Sequence, residues 1–189
     1  MPNDFRWLLK DQTSSEHDRL DTLLSALDVS SFDGLAGFLA IHRNCFNAML
    51  PAAVPGDDAF AALVEMIRCI DSDLGALGVE CTAGLVPPLG PVHGLALDYV
   101  LEGSRLGTKV LRRRWEASDD PRVRAANAYF MITPVPGRWR DVCAALSAVA
   151  PDSPEAAQIT RDTEKLFALF AQIANDWMSA QGQCRKITS

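Results

Sequence analysis

Apolar residues recur at helical spacing along most of this chain, and no segment shows the sustained alternation that is typical of a β-strand. Near the N-terminus, four leucines follow the i, i+3, i+4, i+7 spacing that places side chains on one helix face: Leu20, Leu23, Leu24 and Leu27. This pattern predicts a first helix over roughly residues 4–28. A similar pattern predicts a second helix from about Phe32 to Leu50, where Pro51 ends it.

Capping residues, prolines and glycines divide the rest of the chain into further helices. A third helix is predicted from Asp57-Asp58 to about Leu77, followed by a loop over Gly78–Pro91. The remaining predicted helices cover about residues 91–115, 121–131, 138–149 and 154–180. Seven or so helices with short connections indicate an all-α fold. Because no linker or repeat divides the chain, we expect a single domain over residues 1–189.

Composition and charge narrow the classes of partner. The net charge of −6, from 24 acidic and 18 basic residues, argues against nucleic acid as the main partner. No apolar run approaches the ~20 residues that cross a bilayer, so no membrane association is expected. The N-terminus lacks the apolar core of a signal peptide, and the five cysteines form no disulfide or zinc-site pattern. We therefore expect a cytoplasmic protein.

Two glycines interrupt the helix predicted over residues 91–115. Gly103 and Gly107 are four residues apart, so they lie on one face, one turn above the other. Each glycine costs about 1 kcal/mol relative to alanine in a helix interior. The pair indicates either close packing of another helix, a kink, or the close approach of a bound group to this backbone.

One of the three histidines has the surroundings of an iron ligand. His17 lies three residues before Leu20 and four before Asp21, so it extends the apolar stripe with a carboxylate one turn away. An imidazole that points into apolar space while its second nitrogen is held by an acceptor suits haem iron or another metal. An ordinary, partly buried histidine is the alternative. His42 and His93 have no such neighbours, and we expect them to be structural or solvent-exposed.

Motifs for other chemistries are missing from the sequence. It contains no Glu-x-x-His pair of a di-iron bundle, no Gly-x-Ser-x-Gly elbow, no Walker loop and no dinucleotide fingerprint. Chemistry is therefore expected to come from a bound cofactor.

Both regions resemble the haem oxygenase family, in particular the bacterial biliverdin-producing members associated with phytochromes. The first match is Thr13-Ser-Ser-Glu-His17, followed by Asp18-Arg-Leu-Asp21, and the second is Tyr99-Val-Leu-Glu-Gly-Ser-Arg-Leu-Gly107. A third match is Gly137-Arg-Trp-Arg-Asp-Val-Cys-Ala-Ala-Leu146, where the family has a helix that contacts haem propionates. The resemblance covers most of the chain in helix order and spacing.

The resemblance implies a haem oxygenase-like multi-helix bundle with haem between the first helix and the glycine-containing distal helix. Haem would be both cofactor and substrate, opened oxidatively to biliverdin with release of iron and carbon monoxide. An electron-donor protein or reductant would then be a partner, and a phytochrome is a possible acceptor of the biliverdin.

The resemblance also assigns roles to individual residues. His17 would be the axial iron ligand, with Thr13 and Asp21 one turn before and after it on the same helix. Gly103 and Gly107 would let the distal backbone lie close to the haem.

Other positions of the implied site carry polar or charged side chains. Ser104 stands where animal members of the family have a catalytic aspartate, and Thr108 stands where many members have glycine or alanine. Lys10, Arg138 and Arg140 would pair with the propionates and so orient the haem.

Two other functions remain open. One is a non-catalytic haem-binding or sensory protein on the same scaffold. The other is a thiaminase-like hydrolase, which would need a catalytic cysteine. Cys69 and Cys143 lie within apolar helical patterns and are interpreted as core thiols, so the hydrolase ranks last.

Overall fold

A computed structural model describes residues 4–80 and 89–187, with side chains through residue 180. The described residues contain eight α-helices, a 3₁₀ turn at Leu50–Ala52 and no strand, which confirms the all-α prediction. The helices are α1 (Phe5–Gln12), α2 (Ser14–Ser25), α3 (Phe32–Met49), α4 (Asp58–Leu77), α5 (Gly94–Glu116), α6 (Pro121–Ala125), α7 (Arg138–Ala148) and α8 (Pro154–Ile187).

The predicted first helix is divided into two at Thr13. Thr13 has φ −98° and ψ 3°, outside the regular helix, and its hydroxyl donates to the Leu9 carbonyl at 2.8 Å. The Ser14 hydroxyl donates to the Asp11 carbonyl at 2.8 Å. Hydroxyls that bond nearby carbonyls offer the backbone an alternative to the helical ladder, which explains the break.

The predicted helix over residues 121–131 is shorter than expected and ends at Ala125. The backbone N–H groups of Ala128 and Tyr129 donate to the two carboxylate oxygens of Asp73, at 2.8 and 2.9 Å. A buried carboxylate on α4 thus replaces the carbonyls that would have continued the helix. This contact joins residues 55 and 56 positions apart, so local periodicity could not have predicted it.

The other boundaries agree with the sequence to within a few residues, although α8 continues to Ile187. His93 caps α5, because its Nδ1 accepts the backbone N–H of Leu95 at 3.3 Å. Of the predicted loop over Gly78–Pro91, residues 81–88 lie outside the described part of the chain.

The long helices share one apolar core. α3 packs against α4 and α8, and α5 packs against α7 and α8. α2 also packs against α8, whereas α2 and α5 make little or no direct contact. Fully buried side chains from α1, α3, α4 and α5 meet in this core, among them Phe5, Phe38, Met66 and Leu97. Within residues 4–80 and 89–187, no helix has the length and apolar character that a membrane crossing requires.

Candidate functional site

His17 lies on the second turn of α2 and is more accessible than the sequence suggested. Its side chain is 58% exposed, and Nδ1 lies 3.5 Å from Oδ1 of Asp18. The carboxylate beside the ring is therefore that of Asp18, whereas Asp21, the expected partner, is exposed one turn further on. Phe167 of α8 contacts the imidazole edge-on, with the ring centroids 5.7 Å apart. The histidine thus has one side on an apolar ring and the other open to a ligand.

Neighbouring parts of the protein do not fill the space beside the two glycines of α5. A Cβ atom at Gly107 would have no protein atom within 4 Å beyond its own stretch of helix, and one at Gly103 would lie 3.9 Å from the Trp139 ring. Close helix packing is therefore not the reason for these glycines. Leu106 and Val110 share the same side of α5 and are 45% and 63% exposed. These four residues form what we call the glycine face of α5.

The start of α2 lies close to α5 near this face. Thr13 is buried, and its hydroxyl lies near the Tyr99 phenol. Burial raises the pKa of Tyr99, and Arg6 and the nearby Thr13 hydroxyl offset part of that shift. His17 lies one turn beyond Thr13 on α2, and Gly103 lies one turn beyond Tyr99 on α5. Thr13, at the start of α2, and Tyr99 of α5 thus lie in one region of the molecule.

Trp139 of α7 completes this contact. Its ring lies 5.8 Å from that of Tyr99, centroid to centroid, at an interplanar angle of 31°. Sequence reasoning missed both aromatic residues as part of the site. Tyr99 could have been found, because it lies four residues before Gly103 on the same helix face. Trp139 lies between Arg138 and Arg140, which were assigned to the site, but only the fold shows that its ring meets Tyr99. Phe167 could not have been found, because it comes from a distant part of the chain.

The two hydroxyl residues of α5 point in different directions. The Ser104 hydroxyl donates to the Leu101 carbonyl at 2.8 Å. The Thr108 hydroxyl donates to the Ser104 carbonyl at 3.2 Å and lies near Tyr129, on the side of α5 away from the glycines. Consecutive residues of a helix are about 100° apart, so Thr108 leaves the space above Gly107 open.

The three basic residues predicted to bind propionates have different surroundings. Lys10 is exposed on α1, with its Nζ 5.6 Å from the centre of the Trp7 ring. The side chain of Arg140 is 82% exposed, and it pairs with Asp141 at 3.3 Å. In contrast, Arg138 bridges two carboxylates, those of Asp58 and Asp98, and is only 21% exposed. Arg138 therefore holds α4, α5 and α7 together, while Lys10 and Arg140 are accessible to an anion.

The other histidines and the described cysteines have structural surroundings. His42 is buried among aromatic rings, and its Nδ1 lies 2.8 Å from the Phe38 carbonyl oxygen. Burial lowers the pKa of His42 to about 4, since the charged form is poorly solvated there. Cys69 and Cys143 are buried, as predicted, and burial raises the pKa of both thiols. A raised pKa disfavours the nucleophilic thiolate at both of these positions.

No protein-family model matches this sequence, and no curated protein matches it at a significant level. Among the described residues, no group of three or more histidine, cysteine, aspartate or glutamate side chains is placed to hold a metal ion.

Proposed function

We propose that this protein is a haem oxygenase, which binds haem between α2 and α5 and opens it to biliverdin, iron and carbon monoxide. The observation that carries the proposal is the glycine face of α5. Gly107 has open space where a side chain would be, and apolar Leu106 and Val110 beside it are exposed. An apolar face with no side chain at its centre suits a flat, apolar ring system.

The surroundings of His17 suit a residue that would hold the haem iron. Its Nδ1 is next to Asp18, which favours a proton on that nitrogen and leaves Nε2 as the ligating atom. Phe167 packs edge-on against the imidazole. When bound, haem supplies the iron at which oxygen and electrons are used. The chain's own part is to hold the ring system in one orientation and to keep the distal space clear.

Lys10 and Arg140 are the residues that we assign to the propionates. Both cations are exposed, and each could pair with a carboxylate without leaving a buried charge behind. Arg138 is the least suitable of the three expected residues, since a propionate would compete with Asp58 and Asp98 for its guanidinium. An electron-donor protein or reductant, a cytoplasmic location and a phytochrome as acceptor of biliverdin belong to the same proposal.

A non-catalytic haem-binding or sensory protein is the second candidate. Ser104 has no carboxylate to organise distal water, and its hydroxyl proton is committed to the Leu101 carbonyl. Proton delivery would then depend on water bound to the hydroxyl oxygen. This arrangement supports haem binding equally well and turnover less well.

A haem titration followed by absorption spectroscopy tests the proposal. We expect a histidine-ligated spectrum for the wild type, its loss in His17→Ala, and its recovery when imidazole is added to that variant. The matched control is His93→Asn, because asparagine preserves the cap of α5 and the spectrum should not change. A wild-type spectrum and affinity in His17→Ala would exclude this residue as ligand. Formation of biliverdin and carbon monoxide from the complex under a reductant then separates the enzyme from the non-catalytic binder.

A further inference from the structure

α5 has a second concave surface, on the side opposite to its glycine face. A cavity of about 120 Å³ lies there between α5, Met66 of α4 and the segment from Tyr129 to Pro134. Positions 105, 108, 109 and 112 lie on one side of α5, roughly 180° around the helix from the glycine face. The cavity is therefore separate from the region that we assign to haem, and the inference does not rest on that function.

The charged wall of this cavity is cationic. It contains Arg105, Lys109 and Arg112, and no carboxylate among the described residues lines it. Glu102 pairs with Arg105 at 3.3 Å, with side-chain exposures of 8% and 9%, and Arg112 pairs with a second glutamate outside the lining. Lys109 has no ion-pair partner in the described part of the chain. A net positive charge therefore faces the cavity.

Two hydroxyl groups lie beside these cations. Thr108 and Tyr129 both line the cavity, and their hydroxyl groups lie near each other. Burial raises the pKa of Tyr129 to about 12, so the phenol keeps its proton at neutral pH. The Tyr129 phenol thus adds a hydrogen-bond donor to a positively charged wall, the combination that recognises oxyanions.

The remaining wall is apolar and includes Met66 and Phe130. A fully hydrated ion such as phosphate would leave this wall uncovered, whereas a carboxylate on a small apolar body would contact both kinds of surface. The cavity is close in size to the ~150 Å³ apolar cavity that accommodates benzene in another protein. We propose that this cavity binds a small organic carboxylate whose apolar body is about as large as one aromatic ring.

Titration of the full chain with benzoate, followed by amide chemical shifts in two-dimensional NMR, tests this proposal. We expect saturable binding in the millimolar range, as the size of so small a ligand allows, with shifts concentrated at Thr108, Lys109 and Tyr129. Benzyl alcohol has the same ring without the charge and should bind much more weakly. Inorganic phosphate should also bind more weakly, because it has no apolar body.

Variants of α5 show whether the cationic wall holds the ligand. Lys109→Gln should weaken benzoate binding about two- to fivefold, the effect of one exposed charge pair. Arg113→Gln is the matched control, because this exposed arginine is on the same helix but outside the cavity, and its affinity should not change. Equal weakening in both variants, equal binding of benzyl alcohol or phosphate, or the absence of saturation at tens of millimolar would each overturn the proposal.

Discussion

Two helices of this protein carry a pair of closely spaced glycines, Gly34 and Gly37 in α3 and Gly103 and Gly107 in α5, and the two pairs have opposite surroundings. In α3, a Cβ atom at Gly34 would lie under 3.0 Å from the Asp28 backbone, and one at Gly37 would lie under 3.0 Å from the Trp177 ring. In α5, a Cβ atom at Gly107 would have no such neighbour, and one at Gly103 would make only an ordinary contact.

The comparison separates two reasons for glycine in a helix. The glycines of α3 allow the chain itself to pack closely, so their cost of about 1 kcal/mol each is offset by contacts within the fold. The glycines of α5 carry the same cost without such contacts. Something outside the chain is then the simplest reason for them, and a bound cofactor is the one that we propose.

The largest effect on stability should come from adding a side chain at the two glycines of α3. Gly34→Ala should destabilise the protein by about 3 kcal/mol, at the upper end of overpacking costs, because the Asp28 backbone must move. Gly37→Ala should cost less, since the Trp177 side chain can shift. Urea denaturation measures both values. The double variant Gly37→Ala/Trp177→Ala should show strong non-additivity in the free energy of unfolding. A simple sum of the two single effects would contradict the close contact.

A second test uses the buried histidine of α3. The pKa of His42 is lowered to about 4 in the folded protein, from 6.5. Between pH 6.5 and 4 the unfolded chain binds a proton at this histidine and the folded protein does not. The free energy of unfolding is therefore highest above pH 6.5 and decreases as the pH falls toward 4. The shift corresponds to about 3 kcal/mol of unfolding free energy. Between pH 6.5 and 4, the free energy of unfolding of the wild type should fall by about that amount more than that of His42→Phe. Parallel curves of unfolding free energy against pH for the two proteins would contradict this expectation.

The smallest effect on stability should come from the α5 positions. Gly107→Ala should be neutral or stabilising by up to about 1 kcal/mol, because the alanine side chain meets open space. Gly75→Ala is the matched control, since Gly75 is also helical with nothing within 4 Å. Only Gly107→Ala should also reduce haem binding or turnover. If both variants were equally stable and fully active toward haem, the glycines of α5 would have no cofactor role.

Much of the fold could be predicted from the sequence, because helical periodicity and caps are local. The bounds of α4 follow from Asp57-Asp58 and from Gly78, which takes up the left-handed conformation at φ 68°. The errors occurred where a distant group replaced local hydrogen bonds. Asp73 ended the helix after Ala125, and no pattern within residues 121–131 carries that information.

The candidate site, too, could be predicted from the sequence only in part. Periodicity placed His17 on the first helical segment and put Gly103 and Gly107 on one face of another, because those relations depend only on the number of residues per turn. The sequence alone could not show beside which glycines other parts of the chain pack. That depends on Trp177, Trp139 and the turn at Asp28, which come from other segments. Tertiary contacts likewise decided three further features of the site. These are the exposure of His17, the ion pairs of Arg138 with two aspartates, and the surroundings of Thr108. Local spacing fixes the direction of a side chain from its own helix, and only the packed structure determines what it meets there.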